Sequence, residues 1–164
     1  MGGSRKRAAA AAVTPDAETA PNRAAPAGEM RLPGAEAHRI GRRAAAVRPR
    51  EACGVLLGER AAEGVTVHRA AFCRNIDPDP ERRYELHPRD FLRWDRAAAR
   101  RGWEVVGIWH SHPDGGPSPS ATDRERAWRG WDYLIAAAGP GGAIALKCWR
   151  PRGEGWVEVP LTPR

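Results

Sequence analysis

At residues 105–113 the chain reads VVGIWHSHP, and at residues 120–123 it reads SATD. The apolar run that precedes the first histidine is typical of a buried β-strand. Because side chains on a strand alternate between its two faces, His110 and His112 are predicted to point the same way and Trp109 to point into the core. The stretch therefore predicts a buried strand that ends in two histidines able to reach one metal ion.

A third metal ligand is available a short distance further along the chain. Asp123 lies far enough beyond His112 to return after a loop and offer a carboxylate oxygen to the same ion. Two imidazole nitrogens and one carboxylate oxygen suit zinc, and three protein ligands leave the fourth position of a tetrahedron for water, as in catalytic zinc sites. The pattern favours a metal-dependent hydrolase that holds one zinc ion per chain.

Ser120 and Asp123 also have the spacing of a capping box. In that motif a serine caps the start of a helix, and an acidic residue three positions later caps it in return. This interpretation is compatible with a functional site. A helix start would hold Asp123 in a fixed direction while the Ser120 hydroxyl faces a substrate.

Glu51 stands just ahead of the apolar run Cys53–Leu57, which predicts a buried strand. A glutamate in that place is most often a solvated charge. A zinc hydrolase, however, needs a base that takes a proton from the attacking water, and none of the three predicted ligands is free to do so. Glu51 at the strand edge is therefore a candidate for the general base.

Taken together, these segments resemble the motif of the JAMM (MPN+) metalloprotease family. The motif consists of Glu51, the run HSHP at residues 110–113 and the run SATD at residues 120–123, and residues 49–58 (PREACGVLLG) resemble the first block of the same family. The likeness extends from about Met30 to the C-terminus. It implies an α/β (α+β) fold, a cytidine-deaminase-like sandwich with a central mixed β-sheet flanked by helices.

The resemblance also implies a role for each residue of the motif. It implies that zinc is held by His110, His112 and Asp123. Glu51 would activate the water and pass the proton to the departing nitrogen. Ser120 would donate a hydrogen bond to the tetrahedral oxyanion.

Within the family, the short chain resembles bacterial stand-alone members that are associated with ubiquitin-like sulfur-carrier proteins. The implied activity is hydrolysis of the peptide or amide bond after the C-terminal Gly-Gly of such a carrier. Two alternatives stay open: a deubiquitinase-like isopeptidase that acts on Lys conjugates, and a non-catalytic, zinc-stabilised protein-binding module. A gene for a Gly-Gly carrier next to the gene for this chain would favour hydrolysis of the carrier over the isopeptidase activity.

Composition limits the partners that the chain can be expected to bind. The chain has 164 residues, a hydrophobic share of 41% and a net charge of +7, which fits one globular domain with an excess of basic residues. All but two of the 27 basic residues are arginine, and they are scattered rather than grouped on one face. The charge therefore indicates a compositional bias, and no nucleic-acid partner is predicted.

Residues 1–28 are rich in small residues, proline and charged residues and lack the large apolar side chains that a core requires. A disordered tail is predicted there, followed by one domain over residues 29–164. Three cysteines without a close pair give no disulfide framework, and no segment approaches the length of a transmembrane helix. A cytoplasmic protein with no membrane partner is expected, and its oligomeric state, including a homodimer, is left open.

Apolar periodicity and turn signals predict helices interspersed among strands. Strands are predicted at residues 30–32, 53–57, 65–72, 83–86, 104–111, 133–138, 143–149 and 156–159. Helices are predicted at residues 35–47, 88–101 and 120–129. Proline- and glycine-rich loops are predicted at residues 75–83 and 113–119.

Overall fold

A computed structural model of the protein describes residues 28–138 and 143–163, and within them it contains eight strands and three helices. The strands are β1 (Glu29–Leu32), β2 (Cys53–Ala61), β3 (Gly64–Cys73), β4 (Glu104–His112), β5 (Asp132–Ala138), β6 (Ile144–Arg152), β7 (Gly155–Val159) and β8 (Leu161–Pro163). The helices are α1 (Gly34–Val47), α2 (Pro88–Ala99) and α3 (Ala121–Arg126). Apart from Gly28, the predicted tail lies outside the described residues.

The described strands form one mixed sheet in the order β7-β6-β5-β4-β2-β3-β1-β8. Strand β4 pairs in parallel with β5, and β1 pairs in parallel with β3 and β8, whereas the remaining pairs are antiparallel. Helix α1 packs on β3 and β5, and helix α2 packs on β2, β3 and β4. The predicted α/β (α+β) class, with a central mixed sheet flanked by helices, is confirmed.

Two apolar cores contain alternate residues of the same strands. Trp109 belongs to the core that includes Ile40 of α1, and Ile108 belongs to the core that includes Ala98 of α2. Trp109 is completely buried, and its ring N–H donates to the backbone carbonyl of Ala71 at 3.0 Å. Gly54 pairs with Trp109 in the sheet, and a Cβ there would overlap both the Ala71 carbonyl and the indole. The prediction that Trp109 points into the core is confirmed.

The predicted strand over residues 83–86 is wrong. Of these residues only Leu86 forms a sheet-like bridge, and its partner is Asn75. The Glu85 amide donates to the Asn75 side-chain oxygen at 3.1 Å, and the Glu85 carbonyl accepts from the Ile76 amide at 3.0 Å. The backbone of this segment therefore bonds within its own loop rather than to a neighbouring strand.

The C-terminal part of the domain differs from the prediction at two places. Helix α3 ends at Arg126 rather than near residue 129, because Ala127 is extended and the Trp128 amide donates to the Tyr133 hydroxyl at 2.7 Å. The prediction also missed β8, which adds to the sheet beside β1. None of the described helices has the length and apolarity needed to span a bilayer.

An ion pair fastens the first turn of α2 to the end of β3. The Arg74 guanidinium donates to both carboxylate oxygens of Asp90 at 2.9 Å, and the Arg74 amide donates to the same carboxylate at 3.0 Å. These hydrogen bonds favour the ionised carboxylate and lower the pKa of Asp90 to about 2. The Arg74 side chain is largely exposed, so solvent weakens the pair.

The Asp90→Asn substitution should lower the free energy of unfolding at pH 7 by about 1 kcal/mol, because it removes a charge-assisted hydrogen bond. The folded pKa of Asp90 lies below the unfolded value of about 3.9. The stabilisation is therefore present above about pH 4 and is lost as the pH falls toward 2. Urea denaturation at pH 7 and at pH 3 measures both values.

Asp95→Asn is the matched control, because Asp95 is an exposed acid on the same helix with no ion pair to another described residue. That variant should unfold like the parent protein at both pH values. An Asp90→Asn loss that is the same at pH 7 and pH 3 would contradict the role assigned to the ion pair.

Candidate metal centre

The two histidines lie at the end of β4, where the strand alternation places them on one face. His110 pairs with Cys53 of β2 on one side and with Ile135 of β5 on the other, so it is completely buried in the middle of the sheet. His112 is the last residue of β4 and is partly exposed. The Nε2 atoms of the two rings lie 3.0 Å apart.

Asp123 is fixed by the start of α3. The Ser120 hydroxyl accepts from the Asp123 amide at 3.1 Å, and the Asp123 carboxylate accepts from the Ser120 amide at 2.7 Å, so the predicted capping box is present. The carboxylate oxygens lie 3.3 Å from the Nε2 atoms of His110 and His112, one oxygen to each ring. The helix cap therefore aims Asp123 at the two histidines.

The three side chains fit a zinc ion by donor type and by spacing. Among the described residues, the ligand atoms of His110, His112 and Asp123 lie within 4.8 Å of one another. Two ligands at the usual zinc–nitrogen or zinc–oxygen distance on a tetrahedral ion are about 3.3 Å apart. The observed separations of 3.0 and 3.3 Å match that spacing.

The two imidazole rings are oriented by different contacts. The Nδ1 atom of His112 lies 2.9 Å from the Gly116 carbonyl, which fixes the proton on Nδ1 and leaves the Nε2 lone pair for a metal. The Nδ1 atom of His110 is buried and has no hydrogen-bond partner among the described residues. Instead, the His110 ring stacks on Tyr84 with centroids 4.4 Å apart and planes inclined by 25°.

The charge states of His110 and Asp123 also suit a cation, whereas burial of His112 is outweighed by hydrogen bonds with Asp123 and the Gly116 carbonyl, which raise the pKa of His112 and favour its protonated form. Burial opposes ionisation of Asp123, but hydrogen bonds with His110, His112 and Ser120 outweigh it and hold the pKa of the carboxyl well below its usual value. Burial lowers the pKa of His110, which keeps that ring neutral at pH 7. An ionised carboxylate and a neutral imidazole are the forms that bind a metal.

Glu51 borders the group and lies just before the first residue of β2. The Ser111 amide donates to the Ala52 carbonyl at 2.9 Å, and the Ala52 amide donates to the Ser111 hydroxyl at 2.8 Å, which ties this end of β2 to β4. Glu51 is only 6% exposed, and burial raises its pKa to about 8. The charges of His112 and Asp123 also act on its carboxyl, as expected for a neighbour of the site.

Sequence reasoning missed three residues that contact the site or its support. Tyr84 stacks on His110, Asn75 donates to the Glu51 carbonyl, and Asp77 accepts from Arg126 of α3. Asn75 and Asp77 lie in the proline-rich segment that was interpreted only as a loop, and Tyr84 lies in the segment that was predicted as a short strand. The signal that pointed to them was weak, because contacts between a loop side chain and a distant backbone leave no periodic pattern.

A family described as prokaryotic homologs of the JAB domain matches residues 35–151. The chain belongs to this family. The match includes all five residues of the predicted site and confirms the resemblance that the motif indicated.

Three curated relatives illustrate the range of similar proteins. The chain is 41% identical over 102 residues to a desampylase from Haloferax volcanii, covering 62% of this chain and 70% of the relative. It is 34% identical over 82 residues to a probable TtuB-protein conjugate cleaving protease from Thermus thermophilus, covering 49% of this chain and 52% of the relative. It is 41% identical over 124 residues to tail tip assembly protein K of Escherichia phage N15, covering 74% of this chain and 43% of the relative. The chain therefore spans about half the length of the last two relatives.

Solved structures agree with this assignment. A solution structure of a protein from Desulfitobacterium hafniense superposes with a TM-score of 0.76 at 26% identity, covering 82% of this chain and 92% of that one. A second solution structure, of a protein from Salinibacter ruber, gives a TM-score of 0.62 at 30% identity, covering 83% of this chain and 91% of that one. The JAB-domain fold therefore extends over most of the described residues.

The His112→Ala substitution should lower the affinity for zinc at least about tenfold, because it removes one of three ligands. The protein as purified and loaded with zinc should carry one ion per chain. Metal analysis after gel filtration and competition with a chromogenic chelator measure stoichiometry and affinity.

His38→Ala is the control, since His38 is exposed on α1 and lies outside the ligand group. It should retain the parent affinity. If the His112→Ala protein held zinc as tightly as the parent protein, the proposed ligand set would be wrong.

Proposed function

We propose that the domain of residues 29–164 is a zinc-dependent hydrolase that cleaves the peptide or isopeptide bond after the C-terminal Gly-Gly of a ubiquitin-like protein. The observation that carries this proposal is the convergence of His110, His112 and Asp123 beside the buried carboxyl of Glu51. The similarity to a desampylase and to a probable conjugate cleaving protease supports hydrolysis of conjugates of ubiquitin-like proteins.

His110, His112 and Asp123 would hold the zinc ion through two nitrogens and one oxygen. When bound, zinc supplies a Lewis acid that polarises the scissile carbonyl and lowers the pKa of a water molecule to about 7. The chain's own contribution is to keep two of the ligands, His110 and Asp123, in the required protonation states. Burial of His110 and the hydrogen bonds to Asp123 do so before any metal arrives.

Glu51 would accept the proton of the attacking water and deliver it to the departing nitrogen. Burial raises the pKa of Glu51 to about 8 in the metal-free protein. A nearby cation favours the ionised carboxylate and so brings the pKa down toward the working pH. A group whose pKa lies near the working pH can both take up and release a proton, as this role requires.

Ser120 would donate a hydrogen bond to the oxyanion that forms during attack. In the structure its hydroxyl donates to the Asp123 carboxylate at 2.6 Å. The hydroxyl must therefore rotate from Asp123 toward the substrate oxygen. The Ser120 amide continues to hold Asp123 during that rotation, because it donates to the same carboxylate independently at 2.7 Å.

The partner would be a ubiquitin-like protein, either a sulfur carrier with a C-terminal extension or a carrier conjugated to lysine. Both substrates present the same scissile carbonyl, that of the second glycine. They differ in the nitrogen that leaves, which is an α-amine in the first case and a lysine ε-amine in the second. The similarity to a probable TtuB-protein conjugate cleaving protease supports a protein conjugate as the second candidate substrate.

Zinc-loaded protein should cleave a Gly-Gly carrier that bears a short C-terminal extension, giving a product that ends at the second glycine. The Glu51→Gln substitution should lower kcat at least about 100-fold, because general base catalysis contributes that much or more. Intact mass spectrometry of the product, with a lysine-linked conjugate tested in parallel, measures both activities.

The Glu51→Gln protein should bind as much zinc as the parent protein. Glu63→Gln, which changes an exposed glutamate on the turn between β2 and β3, is the matched control and should keep full activity. Undiminished cleavage by Glu51→Gln would remove the base assignment. Failure of the zinc-loaded parent to cleave either substrate would favour a zinc-stabilised binding module.

A further inference from the structure

Both main-chain groups of Glu51 are held by one loop. This loop, residues 74–87, connects β3 to α2 and is called the Asn75 loop below. The Glu51 amide donates to the Pro80 carbonyl at 2.7 Å, and the Glu51 carbonyl accepts from the Asn75 side-chain amide at 3.1 Å. The residue that borders the metal centre is therefore fixed by loop contacts rather than by the ladder of the sheet.

The Asn75 side chain uses both of its polar ends. Its NH₂ group donates to the carbonyls of Glu51 and Arg83 at 3.1 and 2.9 Å and lies 3.5 Å from the Pro80 carbonyl. Its oxygen accepts from the amides of Asp77 and Glu85 at 3.0 and 3.1 Å. These contacts need a short side chain with two donor hydrogens and an acceptor oxygen, which asparagine provides. Aspartate has the same shape but lacks the donors.

The Asn75 loop also contacts the rest of the metal centre. Tyr84 of the loop stacks on His110. The buried carboxylate of Asp77 accepts from Arg126 at 2.9 Å, which ties the loop to the helix that carries Asp123. The loop therefore contacts Glu51, one predicted metal ligand and the helix of another.

We propose that Asn75 is a positioning residue that holds Glu51 in the orientation in which its carboxylate serves as the base. With both adjoining peptide groups fixed, the Cα–Cβ bond of Glu51 has a defined direction toward the metal centre. A displacement of a reacting group by about 1 Å can lower a rate about 100-fold. This inference rests on the proposed hydrolase, in which Glu51 acts on the water.

The test compares Asn75→Asp and Asn75→Ala, each alone and combined with Glu51→Gln. Asn75→Asp retains the acceptor and loses the donors, so it should lower kcat about 10- to 100-fold while KM and zinc content stay within about twofold of the parent values. Combined with Glu51→Gln, it should cause no further loss, because a residue that acts only through Glu51 has nothing left to position. Glu81→Gln, which changes an exposed acid on the same loop, is the control and should retain the parent kcat.

Hydrogen exchange of the Glu51 amide gives a readout that needs no substrate. Protection of this amide should fall at least about tenfold in Asn75→Asp under conditions where the protein stays folded. If Asn75→Ala fails to fold, Asn75→Asp alone supplies the comparison.

Two results would overturn the inference: unchanged protection of the Glu51 amide, or a further loss of kcat when Asn75→Asp is added to Glu51→Gln. A zinc-loaded parent protein that cleaves neither substrate would instead overturn the hydrolase. In that case the exchange measurement still decides whether Asn75 holds Glu51.

Discussion

The pairing of β2 with β4 is the constraint on which the metal centre depends. It places Cys53 opposite His110, and the two bonds between Ala52 and Ser111 fasten the strand ends together. A shift of one residue in this register would turn His110 and His112 to the other face of the sheet. The register is secured by the two cores, because Trp109 and Ile108 fill opposite ones and cannot exchange places.

Asp123 combines a structural task with a proposed chemical one. As the third residue of α3 it caps the helix, and the same carboxylate faces both histidines. Burial of a carboxylate is unfavourable unless it is hydrogen-bonded, and here the cap supplies those bonds before a metal is bound. The short helix thus keeps an ionised ligand available at a buried position.

Much of the centre could be predicted from local patterns. The strand period placed His110 and His112 on one face, and the spacing of a capping box placed Asp123 at a helix start. Glu51 carried no local signal and was found only because a zinc hydrolase requires a base and because the family motif includes one.

Other features could not be predicted because they depend on contacts between distant segments. Asn75 forms hydrogen bonds to Glu51 and within its own loop, and the Tyr84 ring stacks on His110 of β4. The same loop contacts explain why residues 83–86 do not form a strand. Strand β8 has too few residues to show a period, and only its position beside β1 defines it.

The ligands and the base occupy very different positions along the chain. All three predicted ligands lie within residues 110–123, whereas Glu51 precedes β2 and is held by the Asn75 loop, which follows β3. In the proposed hydrolase, the metal ligands and the base therefore depend on different contacts. A molecule in which β4 and α3 have docked but the Asn75 loop has not would bring the three proposed ligands together and still lack a positioned base.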